Sequence, residues 1–201
     1  MASILKVDTI QDQSGNNIIN ENADTITIGA SGDTINIVGT LQNNGNNAVG
    51  ITMADQWRLT TSTNSGTNAD ITTNWERNDS TGYGSIGTGM TESSGIFTFP
   101  STGIYFITEF WTVDVVSGSA VNMQGLVTID NSSYSTVTTS TAQAKGGDQG
   151  MTLANQFLID VTDTSNVKIK FATASFIAGD VVLGSSTQNR SSVSFIRLGD
   201  T

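Results

Sequence analysis

The chain of 201 residues is predicted to be all-β, and three observations carry that expectation. Charged residues make up only 13% of the sequence and hydrophobic residues 36%. Most of the rest is Ser, Thr, Asn and Gly, which form helices poorly and suit short strands joined by turns. From Asp70 onward, segment after segment alternates apolar with polar residues, the two-residue period of a half-buried strand. Finally, all three Trp, three Tyr and eight Phe lie from Trp57 onward, so the material for a packed core is confined to the C-terminal part. The predicted organisation is an anchoring segment at residues 1–19, a trimeric β-stalk and neck at 20–56, and a β-sandwich head at 57–201.

The stalk rests on a repeat. Asp24-Thr-Ile-Thr-Ile-Gly recurs as Asp33-Thr-Ile-Asn-Ile-Val-Gly. In each copy the isoleucines (Ile26 and Ile28, then Ile35 and Ile37) alternate with polar residues and share one face of a short strand. Gly29, Gly32 and Gly39 punctuate the strands as turns do. Two copies are too few for a self-supporting solenoid. Wound around a threefold axis, they bury the isoleucines against two sister chains; a coincidental pair of hairpin strands is the other reading. Gln42–Asn47 reads as a loop-like neck, and Thr52–Leu59 as at most a turn or two of helix. At the extreme terminus, Ile4, Leu5, Val7 and Ile10 are apolar with no local core to receive them. Ordering a free terminus costs about 1–2 kcal/mol per residue, so these four are expected to dock on a protein partner; a terminus folded back along its own stalk is the other reading.

In the head, Val121, Met123, Gly125, Val127 and Ile129 mark one strand, and Met151, Leu153, Asn155, Phe157, Ile159 and Val161 another. Val167, Ile169 and Phe171, alternating with Lys168 and Lys170, mark a third. Gly103–Val116 differs. Tyr105, Ile107, Trp111, Val113 and Val115 occupy one face while Ile104, Phe106 and Phe110 occupy the other. A strand apolar on both faces needs a second cover, either another subunit or a loop of the same chain.

Composition also narrows function. The net charge is −10 and the pI is about 4.1, a balance that disfavours nucleic acid and anionic membrane surfaces as partners. With no Cys and no His, disulfides, thiolate or imidazole catalysis and His- or Cys-bound metals are excluded. The N-terminus lacks the apolar core of a secretory signal, and no stretch approaches the length of a membrane helix. Release by cell lysis within a virus particle is consistent with that.

Carboxylate chemistry remains, and Asp160, Asp163 and Asp180 are the nearest candidates. Asp160-Val-Thr-Asp-Thr-Ser-Asn166, however, reads as an ordinary hairpin connection. The same carboxylates could hold Ca²⁺, although no EF-hand spacing is present. No enzyme activity and no resident cofactor are expected. Asn78, Asn131 and Asn189 open glycosylation triplets that read as plain polar loops. The Gly-rich stretch around Tyr83 lacks the strand-to-helix setting of a phosphate loop. Surface recognition falls to the loops Asn64–Asn68, Asp79–Met90, Asn131–Tyr134 and Thr141–Gln149.

The run Gly95-Ile-Phe-Thr-Phe-Pro-Ser-Thr-Gly-Ile-Tyr-Phe-Ile107 resembles the signature of C1q and tumour-necrosis-factor-like jelly rolls. Leu126–Asn131, Leu153–Val161, Val167–Phe171 and Ser192–Leu198 follow in the order of that family's later strands. The resemblance covers roughly residues 54–201 and implies a homotrimer formed through one sheet, with Ile104, Phe106 and Phe110 at its interface. The N-terminal stretch Ala2-Ser-Ile-Leu-Lys-Val-Asp-Thr-Ile-Gln-Asp-Gln-Ser-Gly-Asn-Asn-Ile-Ile19 resembles the start of fibre-like structural proteins of marine bacteriophages, as does the run Thr25-Ile-Thr-Ile-Gly-Ala-Ser-Gly-Asp-Thr-Ile35. This implies a virion protein, anchored by its N-terminus to other virion proteins, whose head meets a host-surface glycan or protein. A capsid decoration or cement role is the alternative.

The stalk reading is testable. Replacing Ile26, Ile28, Ile35 and Ile37 together with Ser removes apolar burial of roughly 1.5–3 kcal/mol per side chain. Limited proteolysis is then expected to digest the stalk and spare the head; a stalk that stays protease-resistant refutes the axial seam.

Overall fold

The computed structural model describes residues 36–39, 41–43, 46–47 and 50–201. The expected anchor residues Ile4, Leu5, Val7 and Ile10, and the stalk residues Ile26, Ile28 and Ile35, lie outside that set. Ile37 lies within it and is half exposed. The chain divides into two units, Met1–Ala48 and Val49–Thr201. In the first, the stretch read as a loop-like neck forms a minimal antiparallel hairpin, β1 (Gln42–Asn43) with β2 (Asn46–Asn47).

The second unit is a sandwich of two antiparallel sheets, and no described residue is helical. Its strands are β3 (Met53–Leu59), β4 (Trp75–Arg77), β5 (Thr91–Ser93), β6 (Ile96–Thr98), β7 (Gly103–Val115) and β8 (Ala120–Thr128). They continue with β9 (Ser135–Gln143), β10 (Gln149–Val161), β11 (Lys168–Ala174), β12 (Val181–Val182) and β13 (Ser192–Gly199). One sheet has the order β10-β7-β13-β3-β4, with β12 pairing β7 beyond the end of β13; the other has the order β5-β6-β11-β8-β9. Apart from the hairpin pairs β3-β4, β5-β6 and β8-β9, the neighbours in each sheet are distant in sequence, as jelly-roll connections require. The edge strands β9 and β10, one from each sheet, run side by side and form a seam between the layers.

Two expectations need correction. Thr52–Leu59 holds no helical turn: Met53–Leu59 is a strand paired to β13 on one side and to β4 on the other. Its Met, Ala, Gln, Arg and Leu are all adequate helix formers, and the ladder to β13 overrides that preference. Ile129 does not continue the buried face of β8. The strand ends at Thr128, and Ile129 is 77% exposed in the following turn.

The core is aromatic and joins both sheets. Phe97 on β6 meets Trp57, Trp75, Phe171 and Phe195 with ring centroids 5.5, 5.1, 5.7 and 5.3 Å away. Trp111 packs at 5.5 Å from Phe171 and 6.0 Å from Trp75. Most of these rings meet edge-on or tilted, the arrangement their quadrupoles favour. The signature segment owes its glycine to the β5–β6 turn, where Ser94 and Gly95 have φ of 52° and 82°. Two positive φ values make a two-residue primed turn, and a Cβ on Gly95 would lie 2.3 Å from the Ile71 carbonyl oxygen.

Phe97→Ala removes the ring shared by both layers. The expected cost is about 3–5 kcal/mol, read as a fall in the midpoint of denaturant unfolding. A loss below about 1 kcal/mol would mean that the core does not hinge on this ring.

Candidate assembly face and distal loops

β7 runs through the interior of its sheet and alternates strictly. Tyr105, Ile107, Trp111, Val113 and Val115 are fully buried toward the other sheet. Ile104, Phe106 and Phe110, the three residues expected at a subunit interface, share the outer face, where Phe110 is 51% exposed. At Phe110 the second cover is thus not supplied by a loop of the same chain.

The ladders place further apolar residues on that face. Phe106 lies opposite Leu158 of β10 on one side and Ile196 of β13 on the other. Ile196 lies opposite Ala54, and Ala54 bridges to Ile86. One apolar row, Leu158–Phe106–Ile196–Ala54–Ile86, therefore crosses the sheet from edge to edge. The next row is Gln156–Thr108–Ser194–Gln56, polar but uncharged. Leu158 and Ile196 escaped the sequence reading. Their signal was the same as for β7, apolar residues at successive positions in Phe157-Leu158-Ile159 and Phe195-Ile196.

Beside this face the charges are locked away. Arg58 is buried and donates to Glu76 at 2.8 Å, Asn78 at 3.1 Å and Ser80 at 2.8 Å. A chain of amides continues from it. Asn78 donates to Asn189 at 2.6 Å, Asn189 to Gln56 at 2.6 Å, and Gln56 to Ser194 at 2.9 Å. Two of the three glycosylation triplets thus open on side chains engaged with each other. Buried Asp55 accepts from Arg77 Nε at 3.0 Å, Trp57 Nε1 at 2.9 Å and the Met90 amide at 2.7 Å. Neither cluster was legible along the chain, because both assemble across strands.

The four candidate recognition loops separate to opposite ends of the head. Asp79–Met90 and Asn131–Tyr134 lie at the end where the chain enters β3. The first is pinned there by Ile86 on Ala54, the second by the Asn131 amide on the Asn166 carbonyl at 3.0 Å. In the second loop, Tyr134 lies under Lys170, whose Nζ is 4.2 Å from the ring centroid. Burial, with Asp70 nearby, raises the Tyr134 phenol. The carboxyl of Asp130 in the same turn is held well below its ordinary range by the Ser133 and Ser132 amides and the Thr128 hydroxyl.

Asn64–Asn68 and Thr141–Gln149 lie at the far end, with the turn Val116–Ser119 and the segment Ile177–Asp180. Asp180 organises this end. Its carboxylate accepts from the Val116 amide at 2.8 Å, the Ser119 hydroxyl at 2.5 Å and the Ile177 amide at 2.8 Å. Its carbonyl accepts from the Gly66 amide at 2.7 Å, and Gly118 and Ser119 are laddered to Ala144. An open cleft of about 330 Å³ lies here, lined by Asp114, Val116, Asp148, Gly150, Gly179 and Val181 among others.

The three aspartates considered for catalysis or Ca²⁺ do not converge. Asp160 sits opposite Ile104 at one end of β7, and Asp180 binds Val116 beyond the other. The intervening strand is roughly 40 Å long at 3.4 Å per residue. Asp163 is bonded to the Ser165 amide and the Asn166 side chain. Among the described residues there is no group of three or more Asp or Glu placed to hold a metal ion.

No protein-family model matches the sequence. No curated protein matches it either. The fold has clear likenesses among solved structures. Eiger TNF from S. frugiperda matches with a TM-score of 0.58 at 12% identity, over 75% of this chain and 95% of that one. Murine APRIL matches with a TM-score of 0.53 at 12% identity, over 73% of this chain and 98% of that one. The PRD1 vertex protein P5 also aligns, at 18% identity over 75% of this chain and all of that one, but with a TM-score of 0.45. The head thus has the TNF-like jelly-roll fold expected from the sequence.

Replacing Asp180 with Ala leaves two backbone amides and a hydroxyl without their acceptor. A loss of roughly 2–3 kcal/mol in urea unfolding is expected, with new protease cleavage between residues 116 and 119. Unchanged stability and cleavage would show that the far-end loops hold their shape without it.

Proposed function

We propose that this chain is a structural virion protein: a short trimeric tail or head fibre, anchored by its N-terminus, whose jelly-roll head binds the host surface. The observation that carries the reading is the outer face of β10-β7-β13-β3. A chain of net charge −10 presents there an apolar row running from edge to edge, with a row of uncharged polar residues along one side of it. Copies of so acidic a chain repel one another wherever their carboxylates meet, so a face that carries no exposed charge in these rows is where identical copies can pack. The TNF-like fold supports assembly through this sheet, and the phage-fibre resemblance of the first 19 residues supports attachment to a particle at that end.

Host recognition then belongs to the loops at the far end, around Asp180 and the adjoining cleft. The rival role, a decoration or cement protein on the capsid, uses the same trimer and dispenses with the far-end loops.

Light scattering is expected to give about three times the chain mass of 21.1 kDa. Phe106→Asp places a charge in the centre of the face and is expected to yield a folded monomer, because an unpaired interface charge costs several kcal/mol. A wild-type monomer, or a Phe106→Asp trimer, overturns the assembly. The two roles part in one further measurement. A fibre shows saturable binding to host cells, whereas removal of a cement protein lowers particle stability with no such binding.

A further inference from the structure

Glu109 stands on β7, on the buried side of the sheet, and is fully buried. Other buried ionic groups have charged or backbone partners. Asp55 faces Arg77, Arg58 faces Glu76, and Asp180 receives two backbone amides. Glu109 has neutral side-chain donors among the described residues. Trp111 Nε1 donates to Oε2 at 2.9 Å, Asn155 Nδ2 to Oε2 at 3.3 Å, and the Thr138 hydroxyl to Oε1 at 2.9 Å.

These bonds span the seam between the layers. Glu109 and Trp111 belong to β7 and Asn155 to β10 of one sheet, whereas Thr138 belongs to β9 of the other. Asn155 also reaches the Met123 carbonyl of β8 at 3.4 Å, and the Thr138 hydroxyl accepts from the Gly125 amide at 3.2 Å. Room for the carboxyl is built into the fold. A Cβ on Gly125 would lie 2.5 Å from Glu109 Oε1 and 2.6 Å from the Thr138 hydroxyl. Opposite Gly125, β9 is bulged: Gly125 pairs with Thr138 and Leu126 with Thr136, leaving Val137 unpaired. The side chains facing the carboxyl from β8, β9, β10 and β13 include Met123, Thr138, Ser140, Asn155 and Val193, and none of these titrates.

We propose that Glu109 is a proton-operated latch on the seam between the two sheets: the head tightens when the carboxyl is protonated and loosens along β9 as it ionises. A neutral carboxyl still accepts from Trp111 and Asn155 and itself becomes a donor, which the Thr138 hydroxyl can accept. An ionised one leaves a full charge in the interior with no cation beside it.

The sign follows from linkage. Burial raises the Glu109 carboxyl above its ordinary value of 4.5, and its hydrogen bonds offset only part of that. The folded chain therefore holds this proton more tightly than the unfolded chain. The resulting stability is complete below the ordinary value and is lost as pH rises through the elevated folded value. Asp130 acts oppositely and in stronger acid: its lowered carboxyl contributes stability that disappears only as pH falls below the Glu109 window.

The test uses the full chain. It has only four glutamates, so a ¹³C-carboxyl titration of glutamate-labelled protein resolves each. One resonance is expected to titrate above the ordinary range and to vanish in Glu109→Gln. The wild-type melting temperature is expected to fall over the interval in which that resonance titrates, and the Gln variant to lose that slope. Amide exchange, corrected for its intrinsic pH dependence, is expected to show protection around Thr138 falling over the same interval in the wild type alone. Four ordinary carboxyl titrations, parallel melting profiles for the two proteins, or protection around Thr138 that does not change with pH would each overturn the proposal. If Glu109→Gln does not fold, the wild-type carboxyl titration and exchange data decide it.

Discussion

The head depends on the pairing of its last strand between its first and its longest inner strands. β13 hydrogen-bonds β3 along one edge and β7 along the other, so the sheet is continuous only once the chain has been followed to its end. That pairing brings Phe195 under Phe97 and completes the aromatic core. It also fixes the register that aligns Ile196 with Phe106 and Ala54. A slip of one residue would exchange the two faces of β13, placing Ile196 in the core and Phe195 outside. One set of ladder bonds therefore determines both the interior and the apolar row on the outer face.

Because the two faces are set together, the head divides its chemistry by direction. Inward positions carry aromatics that meet across the layers, and outward positions of β10, β7 and β13 carry an apolar row bordered on one side by uncharged amides and hydroxyls. The loops at the end away from chain entry are tied to one another by Asp180, whose acceptor oxygens are used for structure. In the fibre reading this leaves shape and exposed polar groups, rather than an assembled catalytic constellation, as the currency of recognition at that end.

The acidic chain handles its buried charges in different ways. Asp55 and Arg58 are neutralised by ion pairs at the sheet margin, and Asp180 by backbone amides. Glu109 is left with neutral donors, in a space that Gly125 and the bulge in β9 make possible. Ion pairs and backbone amides offset more of the cost of burying a charge than neutral side-chain donors do. The seam at β9 and β10 is thus the place where protonation and packing are coupled.

Much of this architecture was legible from the sequence. The scarcity of helix formers, the two-residue alternation and the confinement of aromatics to one region pointed to an all-β head, and the doubly apolar run of β7 put Ile104, Phe106 and Phe110 on the face opposite Tyr105 and Trp111. These are local properties, readable from neighbours along the chain. Tertiary structure decided what depends on partners far away in sequence: that Met53–Leu59 is a strand, that Ile129 leaves the core, and that Leu158 and Ile196 join Phe106 in one row. It also decided that Asp160 and Asp180 stand at opposite ends and that Glu109 meets Thr138 across the seam. Strand pairing is non-local, and each such neighbour is chosen by a ladder whose other half lies many residues away.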